Sequence, residues 1–530
     1  MKINNTPTNT KQNNNPSFRG PLDGIITQSL ITIDTNPMVN AALVDVFAMV
    51  IPRTYVDTKK RNKYAGAETL FRELTGTFIV CLSSGIIAKG LAHLYNKIFD
   101  PKTKLNPNSW VTNDGLNLLK ESWDKSGGSV EKYIDNILSN ISGIDGKKTS
   151  NWKDINWKNV EWIDNPKWDK IKWKNPDFKN IHNNLKSEAQ ITKTLSQIIG
   201  ENTDRKDAAK VLDIIKHRIT NALGADNSIS VKISDKTLNS SLKNLIRDTY
   251  DLGKNVFTNK SVNLDTALNK LQKMNKAKTL GALAIASSLG LTNQYINRKI
   301  TQKRTGTDTF VGEVDYRNFI GKNQEETPQN KKDKNKLFGL KLLASAGIIA
   351  LAAAVMRIKN PKDFIKKLEF TGQVTSGNAI KTVYTATLVG RFMASKNENE
   401  LRESTTRDYL GFLNWLVLGG FAAKGVANLL DKNRSNLFNI HKEGKGIGHW
   451  LNSLSLKSHA EIASKGVAFA KKNIWKVNLA HASGLLYSTL ALGFLLPLLN
   501  IVITKSKHKK TQQKFIKEHY QRQGHIAVRP

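Results

Sequence analysis

One stretch of the sequence limits the possible folds more than any other. From Val477 to Thr504, 28 consecutive residues include no Asp, Glu, Lys or Arg. A helix rises about 1.5 Å per residue, so this run reaches roughly 42 Å, more than the ~30 Å hydrocarbon thickness of a bilayer. A basic flank, typical of the cytoplasmic side, follows in Lys505, Lys507, Lys509 and Lys510. The pattern predicts a membrane helix over 477–504, with a buried helix of a large soluble bundle as the alternative.

Weaker apolar runs of the same kind recur along the chain. Some contain a single lysine, which does not exclude a span because its side chain can extend towards the lipid headgroups. Two shorter stretches, 39–52 and 378–390, contain Asp45 and Lys381 and are interpreted as half-helices, interfacial helices or poor spans. The five predicted spans lie near 70–96, 276–300, 337–357, 409–432 and 477–504.

Part of the chain resembles another part of itself. Residues 72–97 align without gaps on residues 407–432 at an offset of 335, and nine of the 26 positions are identical. Composition alone gives roughly two identities, so we interpret the similarity as an internal repeat. Upstream, the stretch that ends at Arg53 resembles the one that ends at Arg391, with a three-residue difference in the following loop. The repeat predicts two halves in parallel orientation, an arrangement known in transporters.

Both repeated segments carry small residues at a four-residue spacing. The two series are Ser84, Ala88 and Ala92, and Gly419, Ala423 and Ala427. In lipid, helices associate by close backbone approach, which small residues at this spacing permit. The spacing predicts a helix contact in each half, although small residues are common in membrane helices generally.

These patterns predict an all-α fold, a multipass transmembrane helical bundle with an internal parallel repeat and a hydrophilic insert that is partly Trp/Lys-rich and partly helical. The predicted organisation is a disordered polar N-terminus (1–36), a first membrane repeat (37–97, with helices near 39–52 and 70–96), an extramembrane insert (98–275), a membrane helix (276–300), a basic loop (301–336), a connecting membrane helix (337–357), a second membrane repeat (378–432), an amphipathic interfacial region (433–476), a membrane helix (477–504) and a basic tail (505–530). In the insert, the Trp-rich tract covers 150–179 and the helical part 184–275.

The Trp-rich tract repeats about every five residues. Its indoles belong to Trp152, Trp157, Trp162, Trp168 and Trp173. This period fits neither a helix face nor an alternating strand. One interpretation is an interfacial anchor, since indoles prefer the headgroup region and lysines favour anionic lipid. The alternatives are a stacking platform for a polyanion and irregular packing on neighbouring segments.

Charged residues within or beside the spans are the candidate site residues, because such charges usually face a bundle interior or a cavity. They are Lys89, Lys424, Arg72, Glu73, Arg407, Asp408, Arg53 and Arg391. We hypothesise that Lys89 and Lys424 line a shared central site or contact anionic headgroups. The alternative is that the lysines extend to the interface and the other charges form structural ion pairs.

The sequence contains no phosphate-binding glycine loop, zinc-binding helix motif or nucleophile elbow, and its single cysteine excludes an internal disulfide. We therefore expect a protein that is not an enzyme and has no cofactor or metal. The leading hypothesis is a multipass membrane protein, with a cytoplasmic C-terminal tail, that moves or binds a solute or lipid. The first alternative is a membrane-anchored scaffold for anionic lipid or polyanions, and the second a soluble helical polyanion-binding protein. A net charge of +37 favours contact with polyanions.

Overall fold

The structure is a computed structural model that describes residues 37–506, except for 99–111, 144–150, 306–330, 369–376, 441–453 and gaps of five residues or fewer. The predicted disordered N-terminus, most of the basic loop and nearly all of the basic tail lie outside the described residues. Within them the chain is mostly helical, consistent with the predicted all-α class. It folds as a helical bundle and a separate insert with a core of its own.

The helices of the bundle come from both ends of the sequence. Helix α1 comprises Pro37–Asp45, Val46–Val50 and Ile51–Lys60, and α2 comprises Lys63–Thr77, Phe78–Ser83 and Ser84–Ile98. After the insert come α9 (Leu264–Thr305), α10 (Lys331–Met356), α11 (Gly377–Ala394), α12 (Glu398–Leu413), α13 (Gly419–Leu430) and α14 (Val467–Ser488 and Thr489–Leu495, continuing to residue 504).

The insert is folded around an apolar core. Its helices are α3 (Asn113–Lys125), α4 (Val130–Leu138), α5 (Ile181–Asn184), α6 (Glu188–Gly200), α7 (Arg205–Leu223) and α8 (Leu242–Leu252). Side-chain caps begin several of them, since Ser187 accepts from the Gln190 amide and Ser241 from the Asn244 amide. The first turns of α9 complete this core, and the same helix then continues without a break into the bundle.

Two small sheets differ from the all-helical expectation. In the insert, β1 (Ile141–Gly143), β2 (Ser228–Ile233) and β3 (Lys236–Ser241) form an antiparallel sheet in the order β1-β2-β3. Alternate residues of β2, including Ile229 and Val231, are buried in the core. This alternation is the strand pattern, and it is too short to stand out among the helical patterns on either side.

The region 433–476, expected to be an amphipathic interfacial region, contains the second small sheet in its described residues. Strand β4 (Phe438–Ile440) pairs with β5 (Leu454–Leu456), and the helix that begins at Val467 belongs to α14. Phe438 and Ile462 pack with Ile474 in a small core, which holds this segment against the end of the bundle. The apolar residues therefore pack within the protein.

Three helices in the described part of the chain are long and apolar enough to cross a membrane. They are Ala65–Ile98, Asp333–Met356 and Lys472–Thr504. The spans expected near 276–300 and 409–432 are not among them. All three helices expose large apolar side chains, and Leu343 is 71% exposed. No exposed large apolar side chain in the described residues lies between Ile98 and Leu280, so this exposure is confined to the bundle.

The first and last parts of the bundle interlock. Helix α9 packs along α11 and α2, and α14 packs along α13 and against α1. A Cβ at Gly390 of α11 would lie only 2.4 Å from the Leu291 carbonyl oxygen. A Cβ at Gly493 of α14 would lie 2.5 Å from that of Ala48 in α1. These contacts require glycine, because no real side chain allows so close an approach.

Candidate functional site

A cluster of six charged side chains lies inside the bundle. Four helices supply it: α1, α2, α11 and α12. Its members, here called the arginine cluster, are Arg53, Arg72, Glu73, Arg391, Arg407 and Asp408, each between 2% and 8% exposed. All six were candidate site residues from the sequence, and the structure brings them together from positions more than 300 residues apart.

Glu73 is the carboxylate at one side of the cluster. The Nη2 atom of Arg72 lies 3.2 Å from its Oε1, and Nη1 of Arg53 lies 3.6 Å from the same oxygen. The second oxygen, Oε2, lies 3.4 Å from Nη2 of Arg391. Three guanidinium groups therefore surround one buried carboxylate, and one of them comes from the later half of the chain.

Asp408 is the carboxylate at the other side. Its Oδ1 lies 2.8 Å from Nε of Arg407 and 3.1 Å from Nη1 of Arg391. Arg391 thus bridges Asp408 of its own half and Glu73 of the other half. Because an uncompensated buried charge is costly, this bridge ties the two halves together.

The two bridging arginines occupy related positions. A Cβ at Gly76 would lie 3.5 Å from Nη2 of Arg391, and a Cβ at Gly411 would lie 3.8 Å from Nη2 of Arg53. Gly76 and Gly411 are equivalent in the sequence alignment, and Arg53 and Arg391 end the two similar stretches that precede it. Each arginine therefore reaches the equivalent glycine of the opposite half. Arg53 also donates from Nε to the Leu492 carbonyl oxygen at 3.0 Å.

Two residues near the cluster were not candidates from the sequence. Asp45, on α1, accepts a hydrogen bond from the Thr77 hydroxyl and interacts electrostatically with Arg53 and Arg391. Tyr384, on α11, stacks on the Phe412 ring with centroids 5.8 Å apart. Asp45 is a single acidic residue in a short apolar stretch, which does not by itself indicate a site. Tyr384 has no sequence feature that distinguishes it from the other residues of its apolar stretch.

A second group of ion pairs lies where α12 begins. Arg61 pairs with Glu403 at 2.7 Å, and Arg298 pairs with Glu400. The Thr504 hydroxyl donates to the second Glu403 oxygen at 2.8 Å. The last residues of α1, α9 and α14 therefore meet the first turns of α12 at one end of the bundle.

Lys89 and Lys424 lie apart from the arginine cluster. Lys89 is exposed on α2, close in sequence to the exposed Ile86 and Leu94. Lys424 is half-buried, with its Nζ 5.9 Å from the centroid of the Phe421 ring. Because Lys89 is exposed, it could contact lipid headgroups but could not line a shared central site. The small residues Ala88 and Ala92 on the same helix are buried, as a helix contact requires.

The Trp-rich tract packs on the insert. Trp152 and Trp168 are 1% and 5% exposed, and the Trp152 indole donates to Oε1 of Glu188 at 2.6 Å. Trp157, Trp162 and Trp173 are half-buried. Packing on neighbouring segments therefore accounts for Trp152 and Trp168, whereas a lipid or polyanion contact remains a prediction for the other three.

A buried arginine organises the middle of this tract. The guanidinium carbon of Arg218 lies 5.2 Å from the Trp162 ring centroid and 5.1 Å from that of Trp168. Arg218 is 0% exposed and pairs with Asp164 at 2.6 Å. Cation–π contact of this kind fixes indoles to a folded domain without needing helical or strand periodicity.

Burial shifts the ionisation of two groups in the insert in opposite directions. Desolvation raises the pKa of Asp251 to about 7, although Arg205 and Arg247 oppose the shift. Desolvation lowers the pKa of His217 to about 4, and the neighbouring Lys216 adds to this effect. Both side chains therefore favour their neutral forms when folded.

No protein family, curated protein or solved structure matches the chain. Among the residues that the structure describes, no three His, Cys, Asp or Glu side chains are grouped so as to hold a metal ion. What the chain does must therefore be argued from its own residues.

Proposed function

We propose that the chain is an integral multipass membrane protein, and that its two sequence-related halves form one bundle that binds or moves a solute or lipid. One observation carries the proposal: the bundle buries Arg391 and Asp408 while it exposes side chains such as Leu343. In water this distribution is unfavourable, because apolar side chains are left exposed to solvent. In lipid it is favourable, because the apolar side chains face acyl chains and the charges find partners inside.

The internal repeat is supported by the contacts within the cluster. Arg53 and Arg391 end the two similar stretches that precede the alignment, and each lies beside the equivalent glycine of the other half. The proposed parallel orientation is supported by the ion pairs at the start of α12, where the ends of α1, α9 and α14 meet. If α9, α10, α11, the segment from α12 to α13, and α14 each cross once, five crossings would separate the insert from the tail and place them on opposite sides, the tail being cytoplasmic.

Carbonate extraction combined with cysteine accessibility tests the proposal. Cys81 is buried, so a Cys81→Ala background offers a chain without native thiols. Single cysteines are introduced as Lys170→Cys, Ile320→Cys and Tyr520→Cys. We expect the protein to stay in the membrane fraction, and an impermeant thiol reagent to label position 170 from the side opposite to positions 320 and 520. Release by carbonate, or labelling of all three from one side, would contradict the proposal.

A membrane-anchored scaffold for anionic lipid or polyanions is the second candidate. It is favoured by the close backbone contacts at Gly390 and Gly493, which suit a rigid joint better than a moving one. Disulfide cross-linking across the halves distinguishes the two candidates. A Gly76→Cys, Arg391→Cys pair would alter the cluster itself, so the pair is placed at Arg61→Cys and Glu403→Cys instead. A scaffold keeps its lipid binding when this pair is oxidised, whereas a protein that moves its ligand loses turnover.

A further inference from the structure

We propose that the arginine cluster is a binding site for an anionic group of the phosphate type, carried either by a lipid headgroup or by a free solute. The inference rests on the proposed function and gives it a ligand class. It depends on the ratio of hydrogen-bond donors to acceptors in the cluster and on one specific atom.

The cluster holds more donors than its carboxylates are able to accept. Each guanidinium offers five N–H groups and each carboxylate about four acceptor positions, so four arginines present about twenty donors to about eight positions on Glu73 and Asp408. The Leu492 carbonyl and the Thr69 hydroxyl accept from Arg53 and Arg72. Asp45 lies beside Arg53 and Arg391, and Glu68 and Glu403 act electrostatically on Arg72 and Arg407. The nearby carboxylates therefore offset the charge of the four arginines, and what points to a ligand is the donor that they leave unpaired.

One buried donor is left without a partner. Nε of Arg391 forms no hydrogen bond, although Arg391 is only 5% exposed and both of its terminal nitrogens are paired. An unpaired buried N–H costs about 1–3 kcal/mol, and a charged group costs more. Arg391 also stands between the two carboxylates, where an anion could accept from several guanidiniums at once. Planar guanidinium forks suit the paired oxygens of a phosphate group.

The geometry also predicts how an anion enters. Every member of the cluster is less than a tenth exposed, so entry requires local separation of α1, α2, α11 and α12. We therefore expect association to be slower than for an open site, because binding must await this change. A free anion would enter the opened cluster from water. A lipid would insert its headgroup between the helices while its acyl chains stay in the bilayer.

The test uses the full chain purified in a neutral detergent. Inorganic phosphate is titrated by calorimetry at constant ionic strength, and retention of phosphatidylglycerol is measured by native mass spectrometry. Arg391→Lys keeps the charge but removes the Nε donor and the fork. We expect it to weaken binding at least about tenfold. Arg61→Lys is the matched control, a buried arginine outside the cluster that pairs with Glu403, and we expect it to leave binding unchanged.

Asp45→Asn provides a change in the opposite direction. The amide still accepts from Thr77, so the fold is retained, while a negative charge beside Arg53 and Arg391 is lost. We expect anion binding at least about threefold tighter. A variant that merely unfolds cannot bind more tightly. The gain in Asp45→Asn therefore tests the site even if Arg391→Lys fails to fold.

The outcomes separate the two sources and the two proposals. Phosphate binding that phosphatidylglycerol displaces identifies a lipid headgroup, and phosphate binding that the lipid leaves unchanged identifies a free anion. Either result supports the site if Arg391→Lys weakens it. The proposed site is overturned if neither phosphate nor phosphatidylglycerol binds saturably. It is also overturned if Arg391→Lys and Arg61→Lys bind the probes equally well. A chain that resists carbonate yet binds no anion would refute the site alone, whereas a chain released by carbonate would refute the proposed function.

Discussion

The insert and the bundle differ in the side chains that they expose. The insert encloses Ile215 and Leu119 at 0% exposure, and its exposed surface is polar. The bundle encloses Arg391 and Asp408, and places Leu343 and Val502 on its surface. Burial of apolar area drives folding in water, but helices in lipid gain little from it and associate through close packing and polar contacts. This is the difference expected if the bundle faces lipid, as we propose, and the insert faces water.

Removal of a cluster carboxylate is the largest effect we expect. Asp408→Ala leaves Arg391 and Arg407 without their shared partner, and should destabilise the bundle by about 3–5 kcal/mol. The measurement is detergent-induced unfolding followed by circular dichroism. The control is Asp213→Ala in the insert, which removes a half-exposed pair with Lys216 and should cost at most about 1 kcal/mol. Similar losses in both variants would contradict the distinction between the two regions.

A pH-dependent prediction concerns the insert. Asp251 has a pKa of about 7 in the folded protein against an ordinary 3.8. Because the folded state holds this proton more tightly, the stability that it contributes is complete below pH 3.8 and is lost as the pH rises through 7. Asp251→Asn should therefore be neutral at low pH and stabilise the insert by up to about 4 kcal/mol above pH 7.

Urea unfolding followed by tryptophan fluorescence measures this difference, because seven of the ten tryptophans lie between residues 110 and 173. His217 acts with the opposite sign. Its folded pKa of about 4 lies below the ordinary 6.5, so its contribution is present above pH 6.5 and is lost as the pH falls through 4. The comparison must therefore be between variant and parent at each pH. An Asp251→Asn difference that does not change with pH would contradict the prediction.

A charge on the apolar outer surface tests the solvent of the bundle. Leu343→Lys places a lysine near the middle of α10, where we expect membrane insertion to cost about 3 kcal/mol. The measurement is the fraction of protein that resists carbonate. Glu131→Lys, on the exposed surface of the insert, should change stability by no more than about 0.5 kcal/mol. If Leu343→Lys is equally harmless, the bundle faces water.

The smallest effect concerns the lysines near the far end of each repeated helix. Lys89→Leu should reduce retention of phosphatidylglycerol by an amount equivalent to about 1 kcal/mol, since a lysine near the surface contributes about that much to contact with anionic lipid. Lys424→Leu should have a smaller effect, because Lys424 is half-buried. Native mass spectrometry of the lipid-bound protein measures both. Unchanged lipid retention and turnover in the double variant would reject a role for these residues.

Long apolar patterns predicted the bundle helices well. The run over 477–504 lies in α14, and residues 337–356 of the predicted connecting helix lie in α10, because long, almost uncharged stretches have few structures open to them. The expected membrane helix over 276–300 is instead part of α9, which begins at Leu264 in the insert. The change from polar to apolar composition near residue 276 predicted a boundary between the insert and a membrane helix. The helix continues across that position without a break.

The site was predictable in its members and not in its arrangement. Equivalent positions in the alignment of 72–97 on 407–432 identified Arg72, Glu73, Arg407 and Asp408, because a charge at the same place in two apolar segments needs a reason. The bridge from Arg391 to Glu73 depends on how the halves pack, which no local pattern encodes. For the Trp-rich tract the sequence left three interpretations open for the same reason, since its packing depends on the distant Arg218 and Glu188.

Helix α9 connects the two regions by a single rigid element of 42 residues, about 63 Å long. Its first turns place Leu268 and Leu271 in the core of the insert, and Arg298, about two turns before its end, reaches Glu400 in the bundle. A helix without a break acts as a rod, so the insert cannot swivel freely on a loose tether. A displacement of the insert would therefore be transmitted along α9 to the ion pair of Arg298 with Glu400, and a displacement of that pair would be transmitted to the insert.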